Sequence, residues 1–248
     1  MPNEVDTVIH LAAKAGVLPS LKDAESYIQT NITGTNHILE LMKERGISKM
    51  LFASSSSVYG NNASIPFSED DATNEPISPY AFTKRACELM NYSYHHLYKL
   101  DILNLRLFTV YGPRQRPDLA IHKFIKLIDR NEGITMYGDG STARDYTYVG
   151  DTVQGFVKAL EYIHSTTGIY NTVNLGNHNP VKLNHLIATI GSVMGKTPNI
   201  KTLPMQPGDV QITYANIDKA KALFGYEPNT NLETGLTRFI EWYNEQKN

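Results

Sequence analysis

Short apolar runs alternate with longer stretches of helical period along the first hundred residues, and this alternation constrains the fold more than any other feature. Val5 to Leu11 reads as a buried strand. From Tyr27 to Arg45, apolar residues recur at Ile28, Ile32, Ile38, Leu39, Leu41 and Met42, the spacing of a helix, which Gly46 closes. Lys49 to Ala53 reads as a second strand, Gly60 to Pro79 as a polar loop, Tyr80 to Leu100 as a long helix and Ile102 to Leu107 as a third strand. Strand, helix, strand, helix, strand predicts a parallel sheet covered on both faces. Beyond about residue 112 prolines and glycines break the pattern. Shorter helices are expected at about 151–164, 181–194, 218–224 and 232–246. This second part reads as a smaller mixed α/β lobe.

Composition narrows the function classes. The 248 residues are 41% hydrophobic, enough for a sizeable core, and the net charge of -2 offers no basis for nucleic-acid or anionic-membrane binding. The single cysteine, Cys87, excludes an intrachain disulfide and a cysteine zinc site. The histidines show no metal-ligand spacing, so no metal is expected. No apolar run reaches membrane-spanning length, and the acidic start does not resemble a signal peptide. A cytoplasmic protein is expected.

In an open parallel sheet, ligands bind beyond the carboxyl ends of the strands. Three segments there carry chemistry. Tyr80 and Lys84 form a Tyr-x-x-x-Lys at the start of a helix, one turn apart and on one face. A free tyrosine is only about 0.1% ionised at pH 7, and a nearby ammonium lowers its pKa by ~1–3 units, so the pair can supply a phenolate base. Read alone, it is more readily a chance pair on a helix surface, since this spacing is common. The serine run Ser54 to Ser57 follows the second strand directly and can hold a substrate hydroxyl against such a base, or simply form a polar turn. Arg144, after the Gly138–Gly140 turn, suits phosphate oxygens, or an ion pair with Asp145 or Asp151.

With His10–Ala13, Thr30–Thr35, Ser54–Gly60, Tyr80/Lys84, Arg106–Pro113 and Arg144–Tyr146 together, the chain resembles the extended short-chain dehydrogenase/reductase superfamily. More narrowly it resembles nucleotide-sugar epimerases. Phe108–Asp118 with Gln206–Val210 is most similar to UDP-glucuronate 4-epimerases. The resemblance implies a Rossmann-like doubly wound parallel sheet over residues 1–112. It implies a substrate lobe over 113–248, with segments around 145–175 returning to the sheet. It implies NAD as cofactor and a UDP-sugar as substrate, epimerised through a 4-keto intermediate, and a homodimer.

The implied catalytic residues are Ser55, Tyr80 and Lys84. Leu11, Ala12, Ala13, Asn31, Ser54, Phe108 and Val110, with Tyr80 and Lys84, would line the cofactor. Ser56, Ser57, Thr109, Arg116, Arg144 and Asp209 would line the substrate, Arg144 at the pyrophosphate. Arg116 reads equally as a member of an ion pair between the two parts of the chain.

The chain departs from this family in having no Gly-x-x-Gly-x-x-Gly turn leading into a helix. Its first strand resembles the family's fourth, so roughly 70 residues of the dinucleotide-binding fold are expected to be missing. An exposed sheet edge is expected at Val5 to Leu11. Two alternatives stand beside epimerisation. One is a related dehydratase or decarboxylase, although Ser56 and Ser57 occupy positions where those enzymes carry carboxylates. The other is an inactive fragment that does not bind NAD.

Overall fold

The computed structural model describes residues 5–62, 64–204 and 211–247. In chain order the elements begin with strand β1 (Thr7–His10) and helices α1 (Val17–Lys22) and α2 (Ala24–Tyr27). A π-helical turn (Ile28–Thr33) leads into α3 (Gly34–Arg45), then β2 (Lys49–Ser55), a short 3-10 turn (Ser56–Tyr59), α4 (Pro79–Tyr98) and β3 (Asp101–Leu107). Next come β4 (Thr109–Tyr111), α5 (Ala120–Asp129), β5 (Ile134–Tyr137), β6 (Ala143–Tyr148), α6 (Val149–Ser165) and β7 (Tyr170–Leu175). The chain continues through β8 (Pro180–Lys182), α7 (Leu183–Met194), β9 (Ile200–Leu203), β10 (Ile212–Thr213), α8 (Asp218–Phe224) and α9 (Leu232–Glu245).

The chain divides into two units. The first holds residues 1–107, 154–175 and 216–226, and the second 108–153, 176–215 and 227–248. Segment 216–226, read from sequence as part of the second lobe, lies in the first unit because Ala220 and Tyr226 are buried in its core.

The first unit is built on a parallel sheet of order β1-β2-β3-β7. Side chains alternate across it, so consecutive apolar residues feed opposite cores. Leu51, Leu103, Leu105, Val173 and Leu175 pack with Ala159 and Ile163 of α6 and with Ala220 and Tyr226. Met50, Phe52 and Ile102 pack on the other face with Leu39 and Met42 of α3 and Cys87 of α4. β1 is an edge strand whose Ile9 is 45% exposed.

Local signals set the helix ends. Ser78 caps α4, its Oγ accepting from the Ala81 amide at 3.1 Å, and Pro79 stands in the first turn where a missing N–H costs nothing. Gly46 ends α3 at φ 68°, a left-handed conformation that suits glycine. The single helix expected over Tyr27–Arg45 is interrupted by the π-helical turn around the buried Asn31.

The second unit carries β10-β6-β4 with β8 antiparallel to β6, and a separate β5-β9 pair. Its core joins Ile121, Phe124, Ile125 and Ile128 of α5 with Leu186, Ile187 and Ile190 of α7 and Leu236, Phe239 and Ile240 of α9. Helix α5 went unread in the sequence, although its residues 121, 124, 125 and 128 keep a strict helical spacing.

Candidate functional site

In the first unit, the end of β2 and the start of α4 bring the catalytic candidates together. Tyr80 is half-buried in the first turn of α4. Its amide donates to Ser20 Oγ at 3.1 Å, and its ring stands edge-on to Tyr27 with centroids 6.2 Å apart. Lys84, one turn on, is buried rather than exposed. Its Nζ donates to the Ala53 carbonyl at 2.7 Å and lies 5.0 Å from the centre of the Phe52 ring. Burial pushes the Lys84 ammonium down to about 8, while neighbouring Cys87 and Glu88 oppose the drop. The chance-surface-pair reading therefore fails for Lys84.

Ser55 closes β2 and caps the 3-10 turn. Its Oγ accepts from the Ser57 amide at 3.2 Å and from Ser57 Oγ at 3.0 Å. With two bonds accepted, the Ser55 hydroxyl proton remains to be donated outward. Ser56 and Ser57 are half-buried beside it. Ser54 points the other way: its Oγ donates to Glu88 Oε1 at 2.6 Å.

The cofactor candidates on β1 and its loop divide. Leu11 and Ala12 are exposed and Ala13 is half-buried. Asn31 is fully buried, and its amide holds the protein itself. Oδ1 accepts from the Lys14 amide at 2.8 Å, and Nδ2 donates to the Lys14 carbonyl and to Thr83 Oγ1, each at 3.0 Å. Thr83 in turn donates to the Tyr80 carbonyl at 2.9 Å. Asn31 thus ties the loop after β1 to the turn that carries Tyr80 and Lys84.

Of the remaining candidates, Phe108 and Val110 on the cofactor side and Thr109, Arg116 and Arg144 on the substrate side lie in the second unit. Phe108 is buried, Val110 half-buried and Thr109 exposed. Arg116 is exposed and pairs with Asp118, Nη2 to Oδ2 at 2.9 Å, within one loop. Arg144 is half-buried on β6, and its Nη1 donates to the carbonyls of Ala143 at 3.0 Å and Gln211 at 3.5 Å. The ion-pair partners suggested from sequence are engaged elsewhere. Asp145 accepts backbone amides, and Asp151 accepts from Thr230. Asp209, with the run Gln206–Val210, lies outside the described residues.

The sequence reading missed Glu88 and the use of Arg106. Both are buried, and Arg106 grips Glu88 with two bonds of 2.9 Å. A signal was available, since Tyr80, Lys84 and Glu88 recur every four residues on one helix face. Among the described residues no group of His, Cys, Asp and Glu could hold a metal ion, and no helix is long and apolar enough to cross a membrane.

Comparison with known proteins gives the family. Residues 2–239 fit the family model described as GDP-mannose 4,6 dehydratase. The chain belongs to this family of nucleotide-sugar short-chain dehydrogenases/reductases. It is 44% identical to a UDP-glucuronate 4-epimerase of Thermodesulfobacterium geofontis, over 97% of this chain and 73% of the relative. Among solved structures it is similar to a UDP-glucuronic acid 4-epimerase from Bacillus cereus in complex with UDP-glucuronic acid and NAD. That match has a TM-score of 0.90 and 37% identity, over 98% of this chain and 76% of the other. A UDP-N-acetylglucosamine 4-epimerase from Methanobrevibacter ruminantium also superimposes with a TM-score of 0.90, at 32% identity, over 97% of this chain and 77% of the other. The α/β, Rossmann-like fold expected from sequence is therefore the fold of these epimerases.

Proposed function

We propose that this chain acts in the NAD-dependent 4-epimerisation of a UDP-sugar, with UDP-glucuronate interconverted with UDP-galacturonate. The observation that carries this reading is the buried Lys84 ammonium, one turn from Tyr80 and hydrogen-bonded to the end of the strand that bears Ser55.

The donor set suits the nicotinamide-ribose end of the dinucleotide. An ammonium has three N–H donors and Lys84 makes one hydrogen bond, which leaves two for ribose hydroxyls. Leu11 and Ala12 offer an exposed apolar rim at the carboxyl end of β1. When bound, NAD would supply a reversible hydride acceptor for sugar C4, with no net consumption of the cofactor. Tyr80, as phenolate, takes the proton of the 4-hydroxyl as the C4–H bond breaks, leaving a 4-keto sugar. It returns that proton when the C4–H bond re-forms. Lys84 favours the phenolate by its charge. Ser55 donates its hydroxyl to the reacting sugar oxygen.

Asn31 acts by fixing the loop after β1, with its amide already engaged. Ser54 acts through Glu88. Phe108, Val110, Thr109, Arg116, Arg144 and Asp209 are assigned to the cofactor and nucleotide-sugar sides as the family resemblance implies, Arg144 to the pyrophosphate.

Water elimination and decarboxylation are the competing reactions. Both need a carboxyl group near the sugar, and Ser56 and Ser57 stay neutral at pH 7. We also infer a homodimer through α4. Leu89 and Leu97 are 54% and 64% exposed there, whereas Met90 and Tyr94 pack on the core. Light scattering on the purified chain tests that assembly. A cytoplasmic location accords with the single cysteine.

The deciding experiment incubates the chain with NAD and UDP-glucuronate and separates products by anion-exchange chromatography. UDP-galacturonate is expected. Carbon dioxide with a UDP-pentose would identify a decarboxylase, and absence of both NAD binding and product would identify an inactive fragment.

A further inference from the structure

Glu88 stands one turn after Lys84 on α4 and is completely buried. Its carboxylate collects four donors: Arg106 Nε and Nη2 at 2.9 Å each, Ser54 Oγ at 2.6 Å and Arg85 Nη1 at 3.1 Å. Its carbonyl accepts from the Tyr170 hydroxyl at 2.7 Å. The Arg106 guanidinium also lies 4.8 Å from the centre of the ring of Tyr59, which ends the turn that Ser55 begins.

A buried ion pair is a poor source of net stability, because apolar side chains of similar volume commonly do as well. The position of this one points to another use. Four titratable groups lie around Lys84: His10 on β1, and Tyr80, Cys87 and Glu88 on its own helix. Burial keeps His10 neutral and pushes the Cys87 thiol up, so it too is neutral at pH 7. Glu88 is the carboxylate among them, ion-paired with two arginines. The cations facing Glu88 are Arg85 and Arg106, which pair with its carboxylate and offset part of its charge.

We propose that Glu88 is the positioning residue of this site. Its charge keeps Lys84 an ammonium, and its bond to Ser54 fixes the strand end from which Ser55 is presented. The inference rests on the assignment of Ser55, Tyr80 and Lys84 above, yet the Lys84 part can be read without turnover.

The test labels the full chain with [ε-13C]lysine, assigns the Lys84 signal with Lys84→Arg, and titrates it by NMR. The wild-type midpoint is expected near 8. In Glu88→Gln it should fall by at least about one pH unit. If leaving Arg106 unpaired prevents folding, Glu88→Gln/Arg106→Gln removes both charges, and the midpoint should fall in the same direction by a smaller amount. A midpoint unchanged in a folded variant overturns the proposal. Ser54→Ala separates the second arm: the Lys84 midpoint should stay, and kcat should fall about tenfold with KM little changed. An unchanged kcat overturns the Ser55 arm. Wild-type chain that titrates as expected but turns over no UDP-sugar would refute the epimerase reading and leave the Glu88–Lys84 coupling intact.

Discussion

The Lys84 ammonium is fastened to the Ala53 carbonyl at 2.7 Å, so the charge one turn from Tyr80 is held by the strand that ends in Ser55, not by solvent. Helix α4 and strand β2 are therefore coupled at the point where the chemistry is assigned. Lys84→Met keeps most of the volume and deletes the charge. Turnover should fall by ~10²–10⁴, with the remaining rate shifted to higher pH.

The same variant separates activity from stability. The Lys84 pKa is lowered from 10.5 to about 8 by burial, so the unfolded chain binds this proton more tightly. The penalty is fully present below pH 8 and is relieved as pH rises to 10.5. It amounts to at most about 3 kcal/mol. Wild-type stability relative to Lys84→Met should therefore climb over that window, which urea unfolding at a series of pH values will measure. A flat difference would contradict the burial argument.

Asn31→Ala should damage the loop after β1 before it damages the sheet. It removes three hydrogen bonds and strands the Lys14 amide and carbonyl, costing about 2–3 kcal/mol. Hydrogen exchange should quicken at Lys14 and Ala15 first, and the KM for NAD should rise more than kcat falls.

Much of the first unit was legible in the sequence because its strands are buried on both faces. Such strands read as nearly continuous apolar runs: Met50–Ala53 is one, and Ile102–Leu105 is broken only by the buried Asn104. The spacing of Tyr80 and Lys84 was legible for the same local reason. The π-helical turn was not, since it depends on Asn31 reaching Lys14 and Thr83, 17 and 52 residues away. Glu88 looked like an ordinary helix-surface charge. Its partners Arg106 and Ser54 come from two different strands, a pairing that only the folded sheet creates. The short strands of the second unit, such as β10 with two residues, carry too little pattern to be read at all.

His10 should make the first unit acid-sensitive. Burial, with the Lys84 charge adding to it, pushes its pKa from 6.5 down to about 4. The neutral ring bonds Thr35 Oγ1 at 3.0 Å and packs at 5.6 Å on Phe52. The unfolded chain binds the proton more tightly, so the stability is intact above pH 6.5 and is lost as pH falls toward 4. After discounting for screening, about 2 kcal/mol is at stake. Thermal unfolding should show a steeper loss between pH 6.5 and 4 in wild type than in His10→Gln, which cannot take up the proton.

Asp145 should prove to be the structural knot beside Arg144. Its Oδ1 accepts from the Asn177 amide at 2.7 Å and Thr147 Oγ1 at 3.2 Å, and its Oδ2 accepts from the His178 and Ala215 amides, each at 3.1 Å. Four donors converge on one buried carboxylate, so it serves as an acceptor hub that joins β6, the loop after β7 and the segment following β10. Space there is tight: a Cβ on Gly176 would meet Ala215 Cβ at 2.5 Å and Asp145 Oδ2 at 2.7 Å. Asp145→Asn puts an NH2 group where two backbone donors already point, and should cost about 3 kcal/mol. Thr147→Val removes only one of the four bonds and should cost about 1 kcal/mol. Hydrogen exchange should then quicken at Asn177, His178 and Ala215 in Asp145→Asn and barely change in Thr147→Val. Because Arg144 neighbours the lost anchor, the KM for the UDP-sugar should rise severalfold in Asp145→Asn. An unchanged KM in a folded Asp145→Asn protein would remove Arg144 from the substrate side.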